Sequence, residues 1–360
     1  MSQWPAWFEL YSQENHPGIE FFPQLWYKFN HKIRLIAKLI KLSSFFQPIN
    51  NLLVTLINVT LISSKKMKER HFGPVWFIPG KNRGKYPCCH SLYIEDAGIL
   101  IDPSSDRERL IQLRRDVPIK EIWLSHWHED HRMYLDLFDD IPLCIMEQDA
   151  PPLSDLELFM DAYGVDEEYR KHWRPLFHGE FKFKLRKPDH FLQEGDWVDL
   201  GSTRVKIIPA PGHTPGHLAL LFEEPDLLFM ADYDLSSFGP WYGDVDSSIE
   251  QTIDSVNRLR NLSANTWITS HEQGVFETEP GKLWDHYLNV IHVRENKILS
   301  LLKTPKRFSE LVDACILYGK PRKPDYYFKF GEKAHMKKHL EKLMKENRVF
   351  ESDGRYFIQG

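Results

Sequence analysis

The stretch Ser125-His126-Trp127-His128-Glu129-Asp130-His131 places three imidazoles and two carboxylates within seven residues. Imidazole nitrogens and carboxylate oxygens are ligands for zinc and similar divalent ions, and a catalytic centre built from them keeps a position for water. His126 and His128 are two apart, so on extended backbone they leave the same face and can share one ion. Asp130 and His131 fall where the chain turns into a helix and can aim at a second. A polar surface loop is the plainer reading of the cluster taken alone, but further donors follow. The apolar strand Arg204–Ile208 runs through Pro-Ala-Pro-Gly into His213, inside Pro211-Gly-His-Thr-Pro-Gly-His217. Leu227–Met230 runs into Ala231 and Asp232, and Thr266–Thr269 into Ser270 and His271. Donors gathered at strand ends from distant segments are what a folded metal site requires. Chance would scatter them over loops and helix faces.

The elements that position these donors begin at Val75. Strands are expected at Val75–Ile78, Leu92–Glu95, Gly98–Ile101 and Glu121–Leu124, with a charged helix at Ser104–Arg115. A polar helical insert is expected from about Ala150 to Arg174, and strands resume at Trp197–Leu200, Arg204–Ile208, Leu218–Phe222, Leu227–Met230 and Thr266–Thr269. Helices at Ser248–Leu262 and Leu283–Leu302 flank the last of these. Strands with interspersed helices predict an α/β chain of two sheets covered by helices. With 360 residues, 42% of them hydrophobic, the chain can bury a sizeable core, which excludes a disordered class.

Before this region, residues 1–70 read as a helical N-terminal appendage. Ile33, Ile36, Ala37 and Ile40 recur at helical spacing among basic residues, and Asn51–Ile62 reads as a second helix. The appendage is expected to pack on the core, with a flap over substrate or a membrane-surface helix as the alternative. Phe45–Ile62 carries Gln47, Pro48, Asn50, Asn51 and Asn58, poor material for a transmembrane segment, and no secretory signal is read at the start. Four cysteines, without disulfide-framework or C-x-x-C spacing, indicate a reducing, cytoplasmic compartment. After it, Glu295–Leu302, Phe308–Ile316 and His335–Glu346 read as helices, and Arg348–Phe350 and Arg355–Ile358 as strands joined at Asp353-Gly354. That is the element order of a winged helix. From His292 to Gly360 there are 16 Lys and Arg against 9 Asp and Glu, so the rest carries the acid of a chain whose net charge is −5.

The order H-x-H-x-D-H, then Gly-His, then Asp, then His resembles the metallo-β-lactamase superfamily. The Gly-His-Thr-Pro-Gly-His stretch resembles its glyoxalase II side. The resemblance covers about Val75 to His271 and implies an αββα sandwich. It implies a first metal on His126, His128 and His213, a second on Asp130, His131 and His271, and Asp232 as the bridge. Asp102, after Ile99-Leu-Ile, matches the family's structural aspartate, and Ser125 stands where many relatives have threonine. Two divalent metal ions are implied, zinc foremost, although iron and manganese suit the same donors. They would share a water as a bridging hydroxide, with Asp130 as the catalytic residue that orients it. Glu129 is expected to face solvent, His217 to lie behind the ligands or in the core, and His172, His178 and His190 on the surface.

His292-Val-Arg-Glu-Asn-Lys-Ile-Leu, Glu310-Leu-Val, Lys338-His-Leu-Glu-Lys-Leu, Asn347-Arg-Val and Gly354-Arg-Tyr-Phe resemble the C-terminal winged helix of certain metallo-β-lactamase hydrolases, the lactamase-beta-2-like endoribonucleases among them. His335, Lys337, Lys338, Lys342 and Lys345 would then offer a basic face to nucleic acid. The alternative is a domain that walls the active site or mediates a homodimer. The expected organisation is a catalytic domain over residues 71–291 and a winged-helix-like domain over 292–360. The expected function is metal-dependent hydrolysis of a small thioester or ester. Its rivals are an endoribonuclease on single-stranded RNA and a nucleic-acid-binding regulator with a vestigial metal site. The complete donor set argues against the regulator.

Overall fold

The computed structural model describes residues 67–179, 181, 184–195 and 197–359. The chain divides into two compact units, Met1–Met67 and Lys68–Gly360. Apart from Met67, the first unit and both helices expected in it lie outside the described residues.

The second unit opens with a sheet whose strands follow chain order: β1 (Arg70–Phe72), β2 (Val75–Ile78), β3 (Ser91–Ile94), β4 (Ile99–Ile101), β5 (Glu121–Trp123), β6 (Leu143–Met146) and β7 (His190–Leu192). Neighbours are antiparallel up to β4 and parallel from β4 to β7. Parallel neighbours need crossovers. Helix α1 (Arg107–Asp116) supplies one, started by the Asp106 carboxylate, which accepts from the Glu108 and Arg109 N–H groups. The second sheet runs β13 (Val275–Phe276), β12 (Thr266–Ile268), β11 (Leu227–Phe229), β10 (Leu218–Phe222), β9 (Arg204–Pro209), β8 (Val198–Asp199). Its one parallel pair, β11 with β12, is bridged by a later helix, Ile249–Arg260.

Short, wholly apolar strands form here because both of their faces are covered. Tyr93, Leu100, Ile122 and Leu143 pack beneath Leu110 and Leu113 of α1 and beneath Phe159 and Trp173 of two helices of the insert, Leu156–Tyr163 and Glu167–Gly179. Ala219 and Leu228 pack beneath Val256 and Leu259, together with Trp284 and Tyr287 of the helix Lys282–Leu301. The alternate residues Phe77, Leu92, Ile101, Leu220, Phe222 and Phe229 are fully buried as well, as two sheets lying face to face require. Strands β6 and β7 were not expected.

Further helices, in chain order, are α2 (Glu129–Arg132), α3 (Leu156–Tyr163), α4 (Glu167–Gly179), α5 (Ile249–Arg260), α6 (Lys282–Leu301), α7 (Phe308–Val312) and α8 (Asp325–Lys345). A third sheet joins β14 (Lys306–Arg307), β16 (Arg355–Ile358) and β15 (Val349–Ser352), with left-handed Asp353 and Gly354 making the turn. Ile298, Leu311, Met336, Leu340, Leu343 and Val349 form a core under it. The 291/292 boundary falls inside α6, and α8 starts at Asp325 rather than His335, because Phe328 and Phe330 extend its buried face backwards.

The basic face expected on α8 is presented to solvent only in part, by Lys337 and Lys345. His335 is fully buried, its ring 4.4 Å from that of Trp241. Lys342 is buried and pairs with Glu295 at 2.8 Å and Glu346 at 2.7 Å. Lys338 donates to the carbonyls of Val245 and Ser247, and Lys345, itself exposed, pairs with Glu250 at 3.2 Å. The helix spends these charges on the body of its own chain.

Candidate metal centre

Every predicted donor sits just beyond a strand of the two sheets. His126 and His128 follow β5, Asp130 and His131 lie on α2, and His213, Asp232 and His271 follow β9, β11 and β12. The loop after β9 packs tightly on α5. Gly212 has a φ of 129°, and a Cβ there would lie 2.3 Å from the Thr252 nitrogen, so only glycine fits before His213. Ala231, before Asp232, is held at a left-handed φ of 46°, a strained conformation of the kind that accumulates at functional sites.

Nε2 of His126, Nδ1 of His128 and Nε2 of His213 form a triangle with edges of 3.1, 3.0 and 3.2 Å. Tetrahedral bonds of ~2.0–2.1 Å to one ion place nitrogens about 3.3 Å apart, so the triangle fits a metal. The outer nitrogens are held too. Ser125 Oγ donates to Asp102 Oδ2 at 2.7 Å and so accepts from His126 Nδ1 at 3.0 Å. Asp244 Oδ2 accepts from His128 Nε2 at 2.8 Å, and the Trp241 carbonyl accepts from His213 Nδ1 at 3.0 Å. With the proton outside, each imidazole turns a lone pair inward, the tautomer a metal ligand needs.

Asp130, His131 and His271 form the second donor group. His131 Nδ1 lies 2.9 Å from Asp102 Oδ2, and His271 Nδ1 donates to the Gly84 carbonyl. Their Nε2 atoms lie 2.9 and 3.2 Å from Asp232 Oδ1, while Asp232 Oδ2 lies 3.4 Å from His213 Nε2. One carboxylate thus turns one oxygen to each group. Asp130 reaches His131 at 3.8 Å and His271 at 3.5 Å.

The electrostatics differ from ligand to ligand, and in the first group His128 is raised, because Asp244 and the neighbouring acids outweigh burial. Burial pushes His126 well below its usual range and His213 down to about 4. His271 is raised to about 9: burial opposes its charge, but Asp232 and Asp130 outweigh burial. Asp232 resists the upward pull of burial and is held low by His131, His271 and His126. The acids thus call for positive charge, which a cation can supply in place of protons.

Sequence reasoning missed three acids. Glu129, expected in solvent, is only 4% exposed, and its carboxylate accepts from Tyr86 Oη at 2.6 Å and Tyr163 Oη at 2.7 Å. Its position inside the first turn of α2 turns it inward. Buried Asp149, pushed up to about 7 by burial, accepts from the Trp127 and Gly216 N–H groups and the Thr214 hydroxyl, tying the loop of His126 to that of His213. It follows the apolar run Leu143–Met146, as Asp102 and Asp232 follow theirs, and that signal could have found it. Asp244 carries no comparable local signal. His217 is buried outside the two donor groups, and its Nε2 accepts from the Asp232 N–H at 3.2 Å, fixing the backbone there. His172, His178 and His190 are exposed, as expected.

The fold and donors define a class: two sheets of an α/β chain with paired histidine–aspartate groups at their strand ends. Residues 151–271 match the family model described as Metallo-beta-lactamase superfamily. The chain is 26% identical over 194 residues to a hydroxyacylglutathione hydrolase of Francisella philomiragia, covering 53% of this chain and 63% of that protein. It is 27% identical over 146 residues to the hydroxyacylglutathione hydrolase GloC of Haemophilus influenzae, covering 38% and 61%. The chain thus spans less than two thirds of the curated relatives it matches. A metallo-beta-lactamase family protein of Thermus thermophilus superposes with a TM-score of 0.57 at 20% identity, over 79% of this chain and 98% of that one. A beta-lactamase domain protein of Burkholderia ambifaria gives 0.59 at 14% identity, over 82% and 96%. These two show the fold. Over residues 151–271 the chain is thus similar to the metallo-β-lactamase superfamily, and its fold is that of the two solved structures.

Proposed function

We propose that the chain is a hydrolase of small thioesters or esters that works with two divalent metal ions, zinc foremost. The observation that carries this reading is Asp232, whose two oxygens face the two donor groups at 3.4 and 2.9 Å. In this reading His126, His128 and His213 hold one ion, Asp130, His131 and His271 the other, and Asp232 both. Bound there, the ions would bring the pKa of a water from 15.7 towards roughly 7 and polarise the scissile carbonyl. The protein's part is to aim the donors. Ser125, Asp244, Trp241, Asp102 and Gly84 hold the outer nitrogens, His217 and Tyr287 hold the Asp232 backbone, and Asp130 orients the attacking water.

The thioester preference is supported by the two hydroxyacylglutathione hydrolases the chain resembles. The RNA reading rests on the winged-helix pattern, and the basic helix α8 in it pairs largely within its own chain. We read residues 71–291 as the catalytic part and 292–360 as a winged helix that buttresses it. Among the described residues no helix is long and apolar enough to cross a membrane.

The test is metal analysis of the purified full-length protein, followed by a panel of thioesters, lactones and single-stranded RNA. Two ions per chain, turnover of a small thioester and loss of both in His128→Ala are expected. A His128→Ala protein with full metal and unchanged turnover refutes the site. Cleavage of RNA with inert thioesters refutes the substrate class.

A further inference from the structure

We propose that the loop Trp241–Ser247, clamped by the C-terminal helix α8, sets the affinity of the first donor group for its ion, with Asp244 as the positioning residue for His128. This rests on the reading of the site as a metal centre.

Two of the three imidazoles in that group are oriented by this one loop. Asp244, 2% exposed, accepts from His128 Nε2 at 2.8 Å, and the Trp241 carbonyl accepts from His213 Nδ1 at 3.0 Å. The loop is braced internally. Trp241 Nε1 donates to Asp244 Oδ1 at 2.9 Å, the Asp244 N–H to Ser247 Oγ at 3.2 Å, and Ser247 Oγ to the His213 carbonyl at 2.6 Å. His126 differs, because its outer nitrogen meets Ser125 beside it in the chain.

The loop owes its position to residues far along the sequence. His335 presses its ring edge-on against Trp241 at 4.4 Å. Lys338 donates to the carbonyls of Val245 and Ser247, on either side of Asp246. The Tyr242 hydroxyl sits 2.9 Å from His339 Nε2 and accepts from Arg294 Nη1 at 2.9 Å. One further bond ties the loop to the insert, from the Val245 N–H to the Ala162 carbonyl at 2.9 Å. Helix α8 thereby reaches His128 through two contacts, Lys338 to the loop and Asp244 to the ring. A carboxylate on the outer nitrogen fixes the tautomer and makes the inner nitrogen a better donor, and loss of such a partner costs about 10–100-fold in metal affinity.

The experiment titrates full-length, metal-stripped protein with Zn2+ against a chromophoric chelator and records ligand-field absorption with Co2+. Wild type is expected to bind two ions. In Asp244→Asn one of them is expected to bind about 10–100-fold more weakly, with altered Co2+ bands, while the other binds as in wild type. Lys338→Met, which touches no ligand, is expected to weaken the same ion by a smaller factor. Lys333→Met, on the same helix but paired with Asp166 at 2.7 Å, is expected to change neither. Melting of the metal-free proteins separates loss of affinity from loss of fold. Wild-type affinities and Co2+ bands in Asp244→Asn overturn the role of Asp244. Wild-type affinities in Lys338→Met, or equal weakening in Lys333→Met, overturn the clamp. A wild type that takes up no metal overturns the metal reading itself.

Discussion

Glu295 of α6 is the acid against which α8 is docked, and replacing it by glutamine should loosen the C-terminal part in a pH-dependent way. It is 3% exposed and lies 2.8 Å from Lys342 Nζ, 3.6 Å from Arg348 Nη1 and 3.8 Å from His339 Nδ1. Glu346, also on Lys342, is the acid that competes with it. Burial alone would raise its pKa, but the nearby Lys342 ammonium and the His339 ring pull it down to about 2. From an ordinary value of 4.5 that is a contribution of about 3 kcal/mol at neutral pH. The folded pKa is the lower one, so the contribution is complete above pH 4.5 and disappears as pH falls towards 2. At pH 3.5 roughly 2 kcal/mol should remain. Glu295→Gln should therefore cost about 3 kcal/mol at pH 7 and about 1 kcal/mol less at pH 3.5. The assay is urea denaturation of full-length wild type and variant at both pH values, followed by circular dichroism. A loss below about 1 kcal/mol at pH 7, or one equal at both pH values, would refute the reasoning.

Two further substitutions test the loops around the donors. Gly212→Ala forces a Cβ to within 2.3 Å of the Thr252 nitrogen and should cost several kcal/mol, about 2–4, together with the ion on His213; thermal melting and zinc content report both, and a stable, fully metallated variant refutes the close approach. Glu129→Leu strands the Tyr86 and Tyr163 hydroxyls in the core and should destabilise by about 2–3 kcal/mol. A variant as stable as wild type in the same denaturation assay contradicts the buried clamp.

The donors were legible because each sits where a periodic apolar run stops, and the run itself is visible in the sequence. Arg204–Ile208 before His213 and Thr266–Thr269 before His271 match β9 and β12 to within a residue. What was not legible acts across the sequence. Asp244 reaches His128 over 116 positions, and nothing in the aromatic loop around it marks it as a partner. Glu129 was misplaced because its sequence neighbours are candidate donors and its own partners, Tyr86 and Tyr163, lie 43 and 34 residues away. Strand β7, His190–Leu192, shows no period of its own and forms because β6 offers it an edge.

The C-terminal charge was the most misleading signal, and the reason is physical. A surplus of lysine counts toward an external polyanion only if the lysines face outward. On α8 much of the surplus is met within the chain: Lys342 by Glu295 and Glu346, Lys345 by Glu250, Lys333 by Asp166 and Lys338 by loop carbonyls, while Lys337 faces outward. Several of these partners lie outside the basic segment, in the part of the sequence that carries the acidic excess. Part of the charge asymmetry is thus used across one interface, through Lys333 with Asp166 and Lys345 with Glu250. That interface carries the loop that holds His128 and His213, so the basic tail bears on the metal centre by packing behind it.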